Sequence, residues 1–144
     1  MLKENKILHL SGGRLMTNAG SERQIHFLGE KLGLDLKLDE KQQILLLIDG
    51  KYPVSLQLDD GKWYFYGMVR HLINEDIPCA FYQKILIENF KELRSGIGSL
   101  CLNESSDILM YVGGAGKTNH NADELYESLN QYMQRLDSLR AAWE

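Results

Sequence analysis

Gln43-Ile-Leu-Leu-Leu-Ile-Asp-Gly50 is followed closely by Val54-Ser-Leu-Gln-Leu58, Asp59-Asp60-Gly61 and Lys62-Trp-Tyr-Phe-Tyr66. This stretch decides the fold. Ile44 to Ile48 is a strand-sized apolar run, and Asp49-Gly50 is a strong turn signal. Val54, Leu56 and Leu58 then alternate with Ser55 and Gln57, the pattern of a strand with one wet face. The second Asp-Gly turn leads into an aromatic run that again favours strand. Three such runs joined by tight turns predict an antiparallel meander. Upstream, Leu34, Leu36 and Leu38 alternate with Asp35, Lys37 and Asp39, so a further strand is expected there. The polar turn Asp39-Glu40-Lys41 closes it.

Helical patterns flank the meander. Ser21 and Gln24 stand at capping-box spacing, Ile25, Leu28 and Leu32 form one stripe, and Gly33 supplies a left-handed stop. A second helix is expected over 79–94, behind Pro78 and ended by Gly96 and Gly98. Its apolar groups Phe81, Tyr82, Ile85, Leu86, Phe90 and Leu93 wrap about half the circumference, with Ile87 outside that arc, whereas covering one sheet needs a stripe of only about 100°. Burial on two sides is the expectation, and a helix-mediated homodimer would supply it. Strands follow at 97–103 and 107–112, joined by Glu104-Ser105-Ser106. In the last helix Asn121 is placed as a cap, and Leu125, Leu129, Tyr132, Leu136, Leu139 and Trp143 recur at helical spacing. The order is helix, three or four strands, helix, two strands, helix. That is an α+β domain, a twisted antiparallel sheet packed by helices. Residues 1–19, with Ser11-Gly12-Gly13 and no sustained period, read as a flexible leader to a single domain over 20–144, and Met16 is an alternative start.

Composition narrows the function classes. The 144 residues carry 16 Lys+Arg against 20 Asp+Glu, a formal net charge of −4. Residues 1–34 hold five basic and three acidic groups, so the body after residue 34 is the acidic part. An acidic chain without a basic cluster is a poor fit to nucleic acid. No apolar run approaches the roughly 20 residues that cross a bilayer. Cys79 and Cys101 are far apart with no CxxC spacing, which argues against a disulfide framework or a zinc site and for a reducing cytosol.

One motif invites a chemical reading. Gly113-Gly-Ala-Gly-Lys-Thr118 follows an apolar strand and precedes a helix, as a phosphate-binding loop does. The full pattern needs glycine at 111, where Tyr111 stands, and the helix signal comes only at Asn121. A glycine-containing flexible loop without ATPase activity is therefore expected, with a small nucleotide-binding protein as the alternative. The four histidines are scattered without a second metal ligand, Asp59-Asp60 and Glu75-Asp76 sit at turns, and no nucleophile–base pair emerges. No enzyme, metal or cofactor is expected. Binding through apolar surface remains, as a holder of another chain or as an adaptor domain of similar build.

The pattern from about residue 20 to 142 resembles the class I type III secretion chaperones, the group related to the Tir chaperone. The residues that carry it are Phe27-Leu-Gly-Glu-Lys-Leu-Gly-Leu34, Leu36 and Leu38, Ile44-Leu-Leu-Leu-Ile-Asp49 and Val54-Ser-Leu-Gln-Leu58. Ile85-Leu-Ile-Glu-Asn-Phe90, Gly98-Ser-Leu-Cys-Leu-Asn-Glu104, Ile108-Leu-Met-Tyr-Val112 and the closing helix complete it. The Gly113–Thr118 segment and the long leader depart from the pattern. The resemblance implies a small, acidic, cytoplasmic bacterial homodimer that holds the N-terminal segment of a secreted effector in extended form. It implies effector contacts at Leu28, Leu32, Leu36, Leu38, Ile44, Leu46 and Leu56, and a dimer interface at Phe81, Ile85 and Phe90. Partners are then the effector and a second copy, with the secretion-system ATPase as a further candidate, and neither nucleic acid nor membrane.

Overall fold

The computed structural model describes residues 7–9, 19–73, 76–117 and 121–144. Strand β1 (Ile7–His9) precedes helix α1 (Ala19–Leu32). The meander follows as β2 (Gln43–Ile48), β3 (Tyr52–Asp59) and β4 (Lys62–His71). Helix α2 (Cys79–Ser95), strands β5 (Gly98–Leu102) and β6 (Ile108–Lys117) and helix α3 (Glu124–Ala142) complete the chain. The strands form one antiparallel sheet in the order β1-β2-β3-β4-β6-β5.

The turns form where the sequence places them. Asp49 and Gly50 have φ of 54° and 72°, and Asp60 and Gly61 have 50° and 72°. Both pairs thus adopt the left-handed backbone that matches the twist of a hairpin. Asp39 Oδ1 accepts from the backbone N–H groups of Lys41 and Gln43 and closes the turn before β2. Gly96, at φ 72°, ends α2 by donating to the Leu93 carbonyl.

Four expectations change. Leu34 to Leu38 is extended but joins no ladder. Leu36 and Leu38 are buried while Asp35 and Lys37 are exposed, so the alternation marks a strap with one buried side and not a sheet strand. Helix α1 begins at Ala19, so Ser21 lies inside it and is no cap. Gln24, also buried, accepts from the Trp63 indole (2.9 Å) and donates to the Asn121 carbonyl (3.3 Å), tying α1 to β4 and to the entry of α3. Asn121 serves α3 through that carbonyl, and the cap position belongs to Asp123, which makes no side-chain cap bond. Within the supposed leader, Ile7–His9 is a strand paired to β2.

The core lies between the sheet and the helices. Trp63, Phe65, Leu109 and Tyr111 from the strands meet Leu125, Leu129, Tyr132 and Leu136 from α3. Burying a side chain of this size contributes about 1.5–3 kcal/mol. Tyr111 and Tyr132 stack with ring centroids 5.4 Å apart, and the Tyr132 hydroxyl donates to the Tyr111 carbonyl at 2.7 Å. The strands are glycine where this helix comes closest. A Cβ on Gly67 would lie 2.6 Å from Leu136, and one on Gly113 would lie 2.6 Å from Tyr132. The reverse face of β2, β3 and β4 carries half-buried side chains, and α3 packs on the other face.

Candidate interaction surfaces

Helix α2 has two faces of different kinds. Inward, Ile85 is buried, and Glu92 is buried to 1% exposure. The Tyr111 hydroxyl donates to Glu92 Oε2 at 2.8 Å, and Arg135 of α3 donates to Glu92 Oε1 through Nε at 2.7 Å and also through Nη2. A buried carboxylate satisfied in this way orients the helix, because only one rotation of α2 brings Glu92 to both partners. Burial and the hydrogen bond to Glu92 raise the pKa of Tyr111 well above the ordinary phenolic value. Outward, Leu86, Ile87, Phe90 and Leu93 are exposed at 71%, 62%, 65% and 73%. Leu86, Phe90 and Leu93 repeat at i, i+4 and i+7, which makes them a continuous apolar stripe. A lone exposed leucine needs no explanation, but four large apolar groups on one helix face mark an interaction site.

The sheet's reverse face is a second candidate surface. Leu45, Ser55, Tyr66, Val112 and Ser99 stand in register across five strands, and Met68, Met110 and Cys101 form a neighbouring row. All of these side chains are half-buried. Gln43 accepts from Ser55 and Gln57 at one end, so polar groups border the apolar rows. A third surface follows α1, where a groove of about 430 Å³ runs past His26, Gly29, Glu30, Gly33 and Asp35.

Most residues assigned to the effector serve the protein's own core. Leu28, Leu36, Leu38, Ile44, Leu46 and Leu56 are all buried within the chain, which leaves only Leu32 partly accessible. On β2 and β3 one face packs on the helices, and Ile44, Leu46 and Leu56 take that face while Leu45 and Leu47 stand on the other. Of the three dimer residues, Ile85 is buried, and Phe81 packs edge-on against Trp143 at 5.3 Å. Phe90 alone projects outward. Leu86, Ile87 and Leu93 are the residues the site assignment missed. Polar Asn89 and Glu92 hold the inward side of α2 through contacts with β5, β6 and α3, which sequence spacing does not show.

The glycine motif is resolved by geometry. Gly113 to Lys117 belong to β6 and are not a loop. Gly113 pairs with Phe65 on one side and Gly98 on the other, Gly114 pairs with Tyr64, and Lys117 with Lys62. Backbone groups engaged in a ladder are not arranged as a phosphate cradle, and Gly113 is glycine to admit Tyr132. Thr118 lies outside the described residues. Among the described residues no three His, Cys, Asp or Glu side chains come together as metal ligands, and no helix is long and apolar enough to cross a membrane. His26 pairs with Glu30 at 3.0 Å on the exposed side of α1. Both cysteines are free, and burial pushes the Cys101 thiol up.

Known proteins share this architecture. A chain of the HopA1–SchA chaperone–effector complex superposes with a TM-score of 0.70 at 17% identity, covering 88% of this chain and 97% of its own. The ExsC–ExsE complex gives 0.72 at 14% identity, covering 89% and 96%. The Yersinia pestis type III secretion chaperone SycH, in complex with a stable fragment of YscM2, gives 0.61 at 17%, covering 83% and 98%. At these identities the likeness establishes the fold. No curated protein is similar enough in sequence to count as a match. The sequence of residues 23–140, from α1 nearly to the end of α3, matches the Tir chaperone protein family. A match that runs from α1 into α3 takes in strands β2 to β6, and the chain belongs to the Tir chaperone protein (CesT) family.

Proposed function

We propose that this protein is a bacterial cytoplasmic type III secretion chaperone that holds the N-terminal segment of a secreted effector in extended form. The observation that carries the reading is the family match over residues 23–140. Its solved neighbours include chaperones bound to effectors or to a fragment of a partner. The surfaces support it. A holder of unfolded chain needs accessible apolar area, and needs no nucleophile, metal or nucleotide loop. The reading includes a homodimer formed through Leu86, Ile87, Phe90 and Leu93 of α2, since a two-fold axis would let one stripe bury itself against its copy. The half-buried rows of the reverse sheet face are offered to the client. Co-expression with the secreted proteins encoded beside it, followed by purification and mass spectrometry, tests the reading. A stable complex with one of them is expected, and chains that never co-purify with any of them would refute it.

A further inference from the structure

The two edges of the sheet are closed in different ways. At β5 the Asn89 amide of α2 donates to the Leu100 carbonyl at 2.7 Å and accepts from the Leu100 N–H at 2.6 Å. A side chain stands there in place of another strand, which blocks strand addition. At β2 the cover is β1, three residues in register, with Ile7 opposite Ile48, Leu8 opposite Leu47 and His9 opposite Leu46. On its other side Leu47 faces Pro53. Proline has no N–H, so that pair is not hydrogen-bonded, and the N–H and C=O of Leu47 point toward β1. The β2 edge thus presents main-chain groups that call for a strand, with Leu8 placed opposite them. The family match begins only at residue 23, well after β1.

We propose that β1 is an internal stand-in for the client: it covers the β2 edge in the free protein and is displaced when an extended client segment adds there as a strand. This rests on the client-holding reading above and specifies its regulation. A strand of three residues is shorter than the usual five or six, so its hold suits exchange. While in place it keeps the edge from pairing with other chains. Directly opposed residues of antiparallel strands share a face, and Leu46 and Ile48 point into the core. A displacing segment therefore carries apolar residues at alternate positions opposite these two, flanking one opposite Leu47.

The test uses the full chain and a fluorescent peptide of residues 1–13. Leu8→Pro removes the N–H that faces Leu47 and leaves α1 and the helix-packed sheet untouched. By fluorescence anisotropy, the Leu8→Pro protein is expected to bind the peptide about tenfold more tightly than the wild-type protein, whose edge is already occupied. A peptide that itself carries Leu8→Pro is expected to bind neither. Equal binding by both proteins, or none by either, would overturn the proposal. Hydrogen exchange gives a second readout: Leu47 is expected to exchange faster in the variant, and unchanged protection there would contradict the pairing. A client that binds the chain without competing with the peptide would leave the chaperone reading intact and remove this one.

Discussion

Glu92, Tyr111 and Arg135 join α2, β6 and α3 through one buried carboxylate. Glu92→Ala leaves a tyrosine hydroxyl and a guanidinium without their acceptor. Arg135 keeps some access to water, so the expected cost is about 3 kcal/mol, at the low end for a broken buried pair, read as a lower denaturant midpoint. Tyrosine ionisation gives a second expectation. Tyr111 and Tyr132 are raised above the ordinary value of 10.0, chiefly by burial. The unfolded chain then loses these protons first. Their contribution to stability is complete below about pH 10 and declines as pH rises toward the folded values. Absorbance of phenolate should show these two tyrosines ionising only as the protein unfolds, and early titration of all seven tyrosines would contradict their burial. Gly113→Ala sets a Cβ 2.6 Å from Tyr132 and 2.9 Å from the Ile97 carbonyl. A loss of about 1–3 kcal/mol is expected, as for other overpacked sites. Gly113 shows what a single sequence hides: the letters Gly-Gly-Ala-Gly-Lys-Thr advertise phosphate, while the reason for the glycine is a tyrosine 19 residues downstream in another element.

At the scale of elements, periodicity carried most of the fold. The meander, α2 and the stripe of α3 are where the spacing of apolar residues puts them, because each buries one face against a continuous partner. It failed where a pattern has two physical causes. Leu34 to Leu38 alternates as a strand does, yet the alternation reports only an extended chain with one buried side. β6 runs on through glycines that lower strand propensity, because β4 holds its backbone over that length. The apolar excess of α2 was legible, whereas its division into inner and outer faces depended on Glu92 meeting Arg135, which no local pattern reveals. That division makes a sharp prediction. Leu86→Asp and Phe90→Asp are expected to give folded monomer by light scattering with an unchanged circular dichroism spectrum. Ile85→Asp is expected to lower stability by several kcal/mol, since it buries a charge inside the protomer. Persistence of a dimer in the first two would refute the interface.

Across the whole molecule, α3 covers one face of the sheet, α2 covers its β5 edge, and most of the exposed apolar surface among the described residues lies on the outside of α2, with half-buried apolar rows on the reverse sheet face. The net charge of −4 keeps such a surface in solution and repels copies that approach without register. The order of the apolar runs made this class of molecule legible, since no signature residue marks it. The effector contacts were not legible. The same leucines satisfy a core and a docking groove equally well on paper, and only packing decides between them. On the proposed function, this chain holds an unfolded segment of another protein. Limited proteolysis of the complex with its co-expressed client, read by mass spectrometry, tests it most directly. An N-terminal client segment is expected to survive digestion only in the complex and to be cut at once when the client is alone. A client whose N-terminal segment is digested equally fast with and without this protein would contradict it.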